Sequence, residues 1–135
     1  MKITVRDASN YFKGLLLLVR KDRKIDESEV TVMKRVGKSL GFEARFCETA
    51  IHDILESTYI ADVPPEFSSK ELAGKFVRDG LVLALGDKDF HPAEEEWLRS
   101  IAEKNQLDLG WFLRERDQAL KSPGSSLEVE SFTIE

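Results

Sequence analysis

Two stretches of this chain share one pattern and decide its predicted fold. The first reads LVRKDRKIDESEVTVM, from Leu18 to Met33, and the second reads LALGDKDFHPAEEEWL, from Leu83 to Leu98. In each stretch an apolar run leads into an acidic turn, and the turn leads into an amphipathic helix. Asp22 aligns with Asp87 at a spacing of 65 residues. A repeat with so long a period predicts a duplicated helical module.

The helical pattern continues on both sides of this repeated stretch. The first half has a predicted helix over 11–21 capped by Ser9 or Asn10, one from Asp26 to Leu40 that Gly41 ends, and one over 43–57. Pro64 and Pro65 separate the halves, because two prolines cannot continue a helix. The second half has a predicted helix opened by a capping box of Ser68 and Glu71, one that begins at Pro92, and a last one capped by Asp108.

These elements predict an all-α fold, a bundle of about six helices in two halves related by a pseudo-twofold axis. An open solenoid is disfavoured, because it needs about three or more repeats. The helical domain is predicted over 1–121, and residues 122–135 form a C-terminal tail. Residues 2–6 and the tail alternate polar and apolar residues, so we expect short extended termini that pair with each other or with a second molecule.

The composition restricts the class of protein. The chain has 135 residues, 41% of them hydrophobic and 33% charged, with a net charge of −5 and no basic stripe that stands out, so a nucleic-acid partner is not expected. A single cysteine fits a reducing compartment, and no targeting segment is visible. The longest apolar run is too short to insert into a bilayer. We therefore expect a cytoplasmic protein.

Four acidic residues of the repeat form the candidate site. Glu29 and Glu94 fall in the first turn of their helices, where a carboxylate caps backbone amides. Asp22 and Asp87 follow the last turn of a helix, where the dipole disfavours negative charge, so they need a partner. Neighbouring Lys and Arg side chains are one possible partner. A divalent cation is the other, and four oxygen ligands suit Ca²⁺ or Mg²⁺.

The remaining reactive residues favour structural roles. His91 is a possible extra ligand but more typical of a helix start, and His52 is predicted at the surface. Cys47 is predicted to be a buried, inert thiol. The aromatic residues at helical spacing are predicted core residues: Phe46, Trp97, Trp111 and Phe112. No phosphate loop or nucleophile motif is present, so an enzyme, such as an acidic-residue hydrolase, is the least favoured class.

The chain resembles the TerB-like family, the helical domain named after a tellurite-resistance protein. The resemblance is carried by the segments 21–29 and 86–94, in which an Asp, a turn, an apolar residue and a helix start are followed by Glu, and it spans about residues 10 to 120. It implies a pseudo-twofold helical bundle without enzymatic activity and a cation site at Asp22, Glu29, Asp87 and Glu94. Arg23 and Lys88 stand where the family commonly has glycine, and these cations can neutralise the acids instead.

The resemblance also implies a role in tellurite or other chemical stress, in assemblies with protein partners. Two functions follow as hypotheses: a module that binds a divalent cation, and a protein-interaction scaffold without metal.

Calcium or magnesium at millimolar concentration is expected to raise the melting temperature if the four acids form a cation site, because a ligand that binds only the folded state stabilises it. The double variant Asp22→Asn/Asp87→Asn is expected to abolish that rise in thermal denaturation. A melting temperature indifferent to both ions would contradict the cation site and favour the scaffold.

Overall fold

The computed structural model describes residues 2–21, 27–56, 63–85, 90–121 and 133–134. These parts of the chain contain six α-helices, which confirms the predicted all-α class. The helices are α1 (Val5–Arg20), α2 (Glu27–Ser39), α3 (Ala44–Glu56), α4 (Lys70–Leu85), α5 (Pro92–Lys104) and α6 (Leu109–Leu120). Two short strands, β1 (Lys2–Ile3) and β2 (Thr133–Ile134), accompany them.

The chain divides into two compact units of three helices each. Unit 1 comprises Met1–Val63 and Glu128–Glu135, and unit 2 comprises Pro64–Leu127. Within unit 1, α1, α2 and α3 all contact one another, and within unit 2, α4, α5 and α6 do the same. Each unit is therefore a three-helix bundle. The pseudo-twofold relation between the halves stays a prediction.

The helices of the two units follow the register of the sequence repeat. Val5–Arg20 and Lys70–Leu85 are offset by 65 residues at both ends, and so are Glu27–Ser39 and Pro92–Lys104. Ala44 and Leu109, which begin the third helix of each unit, have the same offset. The duplication thus covers all three helices of each unit.

The first helix of each unit begins at a hydroxyl cap that the sequence analysis placed wrongly. The Thr4 hydroxyl accepts a hydrogen bond from the Asp7 amide (3.1 Å), so α1 begins at Val5, and the predicted cap at Ser9 or Asn10 is wrong. The Ser69 hydroxyl likewise accepts from the Leu72 amide (3.1 Å), so the predicted cap at Ser68 is wrong by one residue. In both cases a hydroxyl three residues before a free amide forms the favoured capping hydrogen bond.

The N-terminal extended arm is shorter than predicted, and the described parts of the two termini pair with each other; the rest of the predicted tail lies outside the described residues. β1 and β2 are parallel, with Lys2 opposite Thr133 and Ile3 opposite Ile134. The predicted arm over 2–6 ends early because Thr4 starts α1. The Ile3 side chain is buried, so the pair closes onto the apolar interior of unit 1.

The first helix of each unit is buried along most of its length. In α1 the run Leu15 to Val19 is buried, as predicted from its continuous apolar character. Tyr11 and Phe12, one turn earlier, are also buried. In α4 the buried set includes Phe76, Val77 and Leu81. Each of these helices buries a wide apolar face in the core of its unit, and exposed charged residues such as Lys13 and Arg78 lie on the opposite side.

A buried amide joins the start of unit 2 to its middle helix. The Asn105 side chain is 7% exposed and donates to the Pro65 and Ile101 carbonyls (both 2.9 Å), while its oxygen accepts from the Phe67 amide (2.8 Å). The Phe67 ring packs against Phe76 with centroids 5.3 Å apart. Because a buried amide without partners is costly, this set of bonds holds the segment before α4 in place.

The chain leaves α2 through a residue in the left-handed region. Gly41 has a φ of 92°. Its amide donates to the Lys38 carbonyl, and the Phe42 amide donates to the Gly37 carbonyl, both at 3.0 Å. This pair of bonds is a Schellman motif, in which glycine is the favoured residue. The predicted end of the helix at Gly41 is confirmed.

The same motif ends α5, although its left-handed residue is glutamine. Gln106 stands 65 residues after Gly41 and has a φ of 59°. Its amide donates to the Glu103 carbonyl (3.0 Å), and the Leu107 amide donates to the Ala102 carbonyl (2.9 Å). The two turns are therefore equivalent, and a side chain in this conformation costs about 1–2 kcal/mol that glycine avoids.

None of the helices in the described parts of the chain combines the length and the apolar character that crossing a membrane requires.

Replacing Gln106 by glycine is expected to raise the free energy of unfolding by about 1 kcal/mol, because glycine adopts the left-handed conformation without steric cost. Urea denaturation measures the change. The matched control is Gly41→Gln, which introduces the same cost at the equivalent turn and is expected to destabilise by a similar amount. A Gln106→Gly variant less stable than the wild type would show that the left-handed conformation of Gln106 carries no steric cost.

Candidate functional site

The four predicted cation ligands are only partly within the described residues. Asp22 and Asp87 lie outside them. Glu29 lies in the first turn of α2 in unit 1, and Glu94 lies in the first turn of α5 in unit 2. Glu29 is partly buried, and Glu94 is 3% exposed.

Glu94 has the capping role that its position predicts. One carboxylate oxygen accepts from the His91 amide at 3.0 Å. The His91 ring nitrogen Nδ1 in turn accepts from the Ala93 amide at 3.0 Å, and Pro92 occupies the first helical turn. His91 therefore lies at the helix start, with Nδ1 engaged as an acceptor.

No group of three or more His, Cys, Asp or Glu side chains within the described ranges is arranged to hold a metal ion. Because Asp22 and Asp87 fall outside those ranges, the four-acid site stays a prediction.

A groove of about 450 Å³ lies beside the α2–α3 hairpin of unit 1. We call it the α2–α3 groove. The residues that line it come from α2, from the turn that follows, and from α3: Thr31, Lys34, Arg35, Lys38, Phe42, Ala44 and Cys47. Its volume lies within the range of ligand pockets, about 300–1,000 Å³.

One wall of the α2–α3 groove is basic. Lys34, Arg35 and Lys38 are all exposed, and their positions on α2 place them along one stripe of the helix. Lys34 Nζ lies 3.9 Å from Glu48 Oε1, and both side chains are at least half exposed, so this ion pair contributes little. Arg35 and Lys38 form no ion pair with another described residue. The wall thus carries positive charge at Arg35 and Lys38 that no carboxylate in the described part of the chain pairs with.

The floor of the groove is apolar and closely packed. Cys47 is 1% exposed, and a Cβ atom added to Gly37 would overlap its Sγ atom and lie 3.3 Å from the Phe12 ring. Burial is the main cause that raises the pKa of the Cys47 thiol above its usual 9.0, with a smaller contribution from Glu48. The thiol is therefore protonated at neutral pH, which agrees with the predicted inert cysteine.

Aromatic rings extend this apolar surface beyond the groove. The Phe42 ring stacks on Phe12 with centroids 5.7 Å apart and contacts Phe46 at 5.0 Å. Phe46 is 53% exposed, so its predicted place in the core is wrong, whereas Trp97 and Phe112 are buried as predicted. The inner face of α3 is formed by Cys47 and Ile51, and Phe46 lies to one side of it. Exposed aromatic residues are enriched at binding surfaces.

Unit 2 has different residues at the positions equivalent to this groove. Glu96 replaces Thr31, Ser100 replaces Arg35 and Glu103 replaces Lys38 in the register of 65 residues. The basic residue that remains, Arg99, pairs with Glu103 at 3.4 Å. The small residues of the floor are replaced as well, Ala44 by Leu109 and Cys47 by Phe112. The two units therefore share the helix register of the repeat but differ in the residues at these surface positions.

Sequence reasoning did not identify the α2–α3 groove. Lys34, Arg35 and Lys38 follow the spacing of a helix face, but charged residues at that spacing are usually a solvated surface. The usable signal was the repeat itself: aligning the two units places the three basic residues Lys34, Arg35 and Lys38 against one basic, one neutral and one acidic residue.

Comparisons with known proteins return no match: no family model, no curated protein and no solved structure matches the chain. The TerB-like resemblance therefore stays a prediction.

Gly37→Ala is expected to destabilise the protein by about 1–2 kcal/mol, because the added methyl group overlaps Cys47 and crowds Phe12, and overpacking outweighs the better helix propensity of alanine. Chemical denaturation measures the free energy of unfolding. The double variant Gly37→Ala/Cys47→Ala is expected to recover part of the loss, because the sulfur atom is removed.

The matched control is Gly74→Ala in α4, where the nearest atom, on the Trp111 ring, lies 3.7 Å from the added methyl group. This variant is expected to be neutral or more stable by up to about 1 kcal/mol. Equal effects at Gly37 and Gly74 would show that the packing at the groove floor is looser than described.

Proposed function

We propose that this chain is a non-enzymatic, TerB-like helical module that acts by binding a protein partner, and that the α2–α3 groove of unit 1 is its contact surface. The setting in a chemical-stress response rests on the TerB-like resemblance alone.

The observation that carries the proposal is the combination of charge and apolar surface on one helical hairpin. Lys34, Arg35 and Lys38 are exposed beside an apolar floor and next to the exposed ring of Phe46. Keeping like charges close together destabilises a helix slightly, and the half-exposed Phe46 ring leaves apolar surface in water. A partner that covers both offsets these costs.

The reactive groups of the chain support a binding role rather than a catalytic one. The thiol at the groove floor is buried, and its pKa is raised, so it is a poor nucleophile. His91 uses its Nδ1 atom to cap α5. His52 is exposed, its Nδ1 atom lies 3.7 Å from the neighbouring Asp53 carboxylate, and it is not among the residues that line the groove.

A second candidate function is the binding of Ca²⁺ or Mg²⁺ by Asp22, Glu29, Asp87 and Glu94. The observation that favours it is the equivalence of the two corners, since α2 and α5 begin at the same register and carry Glu29 and Glu94 in their first turns. Melting experiments with these ions separate the two candidates.

Reversing the charge of the groove wall is expected to abolish binding of the partner. A tagged wild-type protein should retain specific proteins from a lysate of the source cells, and the Lys34→Glu/Lys38→Glu variant should lose them. Quantitative mass spectrometry of the retained proteins makes the comparison. Circular dichroism confirms that the variant, which changes only exposed residues, stays folded.

The matched control is Arg99→Glu/Lys104→Glu, which changes the net charge by the same amount on exposed residues of α5. It is expected to retain the same proteins as the wild type. If both variants lose or keep the same set, the groove is not the contact surface and the proposal fails.

A further inference from the structure

The α2–α3 groove also indicates what kind of protein segment binds in it. We propose that it binds an acidic amphipathic α-helix, with partner carboxylates on the basic wall and partner apolar side chains on the groove floor. This inference rests on the proposed function and adds the chemical class of the partner.

The charges of the wall select an acidic segment. Lys34 and Lys38 are one helical turn apart on α2, and Arg35 lies beside them. Four residues of helix rise about 6 Å, so carboxylates spaced by one turn on a partner helix match this separation. Arg35 and Lys38 have no ion-pair partner among the described residues, so a partner carboxylate displaces no existing pair there.

The floor requires apolar side chains from the same segment. Phe42 provides partly exposed apolar surface, the buried Cys47 lies at the floor, and the exposed Ala44 beside them has only a short side chain. A helix that carries acidic residues on one stripe and apolar residues on the adjacent stripe satisfies the wall and the floor together.

The extent of the apolar surface favours a protein helix over a small amphiphile. The Phe42 ring continues into Phe46, which is 53% exposed and does not line the groove itself. A ligand limited to a volume of about 450 Å³ leaves this ring uncovered, whereas a helix that runs along α3 covers both. The net charge of −5 and the small number of cations in the wall argue against a nucleic acid.

The second unit carries different residues at the positions that line the groove in unit 1. At the position of Ala44 stands Leu109, and at that of Cys47 stands the buried Phe112. Glu103 stands at the position of Lys38 and already pairs with Arg99. The small floor residues and the basic residues Arg35 and Lys38 therefore occur together in unit 1, and larger or non-basic residues replace both sets at the equivalent positions of unit 2.

A synthetic peptide tests the inference in the full-length protein. The probe is a fluorescein-labelled helix of about 18 residues with Glu pairs spaced by four and an adjacent stripe of Leu and Phe, because shorter helices are marginal in water. Fluorescence anisotropy is expected to show micromolar binding that weakens about tenfold between about 50 and 300 mM salt. Lys34→Glu/Lys38→Glu is expected to weaken binding at least about tenfold, and Arg99→Glu/Lys104→Glu to leave it unchanged.

A second pair of variants tests the floor without changing charge. Ala44→Leu places the leucine of unit 2 in the groove and is expected to weaken binding at least about fivefold, whereas the reciprocal Leu109→Ala is expected to have no effect. Both positions are exposed, so both variants should fold. A control peptide with Gln in place of Leu and Phe is expected not to bind.

The outcomes separate this inference from the proposed function. If neither peptide binds while retention of cellular proteins still depends on Lys34 and Lys38, the acidic helix is overturned and the binding surface stands. Equal binding of the Gln control peptide, or binding of dodecanoate in place of the peptide with the same dependence on the variants, also overturns it. If retention does not depend on the groove either, the proposed function fails as well.

Discussion

The left-handed turn after α2 is the constraint on which the described surface of unit 1 depends. Gly41 reverses the chain within two residues, and the Schellman bonds fix the directions of α2 and α3 at their junction. Phe42, the residue after the turn, is thereby placed against Phe12 of α1 and beside Phe46 of α3. All three helices of the unit meet at this point. The groove is the space that remains where α3 begins with alanine and continues with cysteine.

The equivalent turn in unit 2 shows which part of this arrangement is architectural. Gln106 adopts the left-handed conformation despite its steric cost, and the turn forms the same pair of hydrogen bonds. The backbone geometry is therefore retained even where the sequence does not favour it. The side chains around it are free to differ: the residue before the turn is Leu40 in unit 1 and Asn105 in unit 2, where the amide joins the segment before α4. The two units therefore share the geometry of this turn but differ in the side chains around it.

The sequence predicted the helices well because apolar periodicity and turn residues act locally. The all-α class, the end of α2 at Gly41 and the cap at Asp108 required only residues close in the chain. The start of α1 was misplaced because several hydroxyl and amide residues compete as caps, and only packing decides among them. Phe46 was misplaced because a helix with a wide apolar stripe does not indicate which edge of the stripe is covered. The groove depends on α2 and α3 together, so neither helix alone predicts it.

The acidic corner and the groove are separable features of the same helix. Glu29 lies in the first turn of α2, whereas Lys38 lies in its last turn, nine residues later, which corresponds to about 13 Å of helix. Charges at that distance are screened from each other at physiological salt. Variants at the two ends should therefore have nearly additive effects on stability. A cation at the acidic corner and a protein helix in the groove would use different residues, so one module can carry both sites. An experiment that excludes one site therefore does not exclude the other.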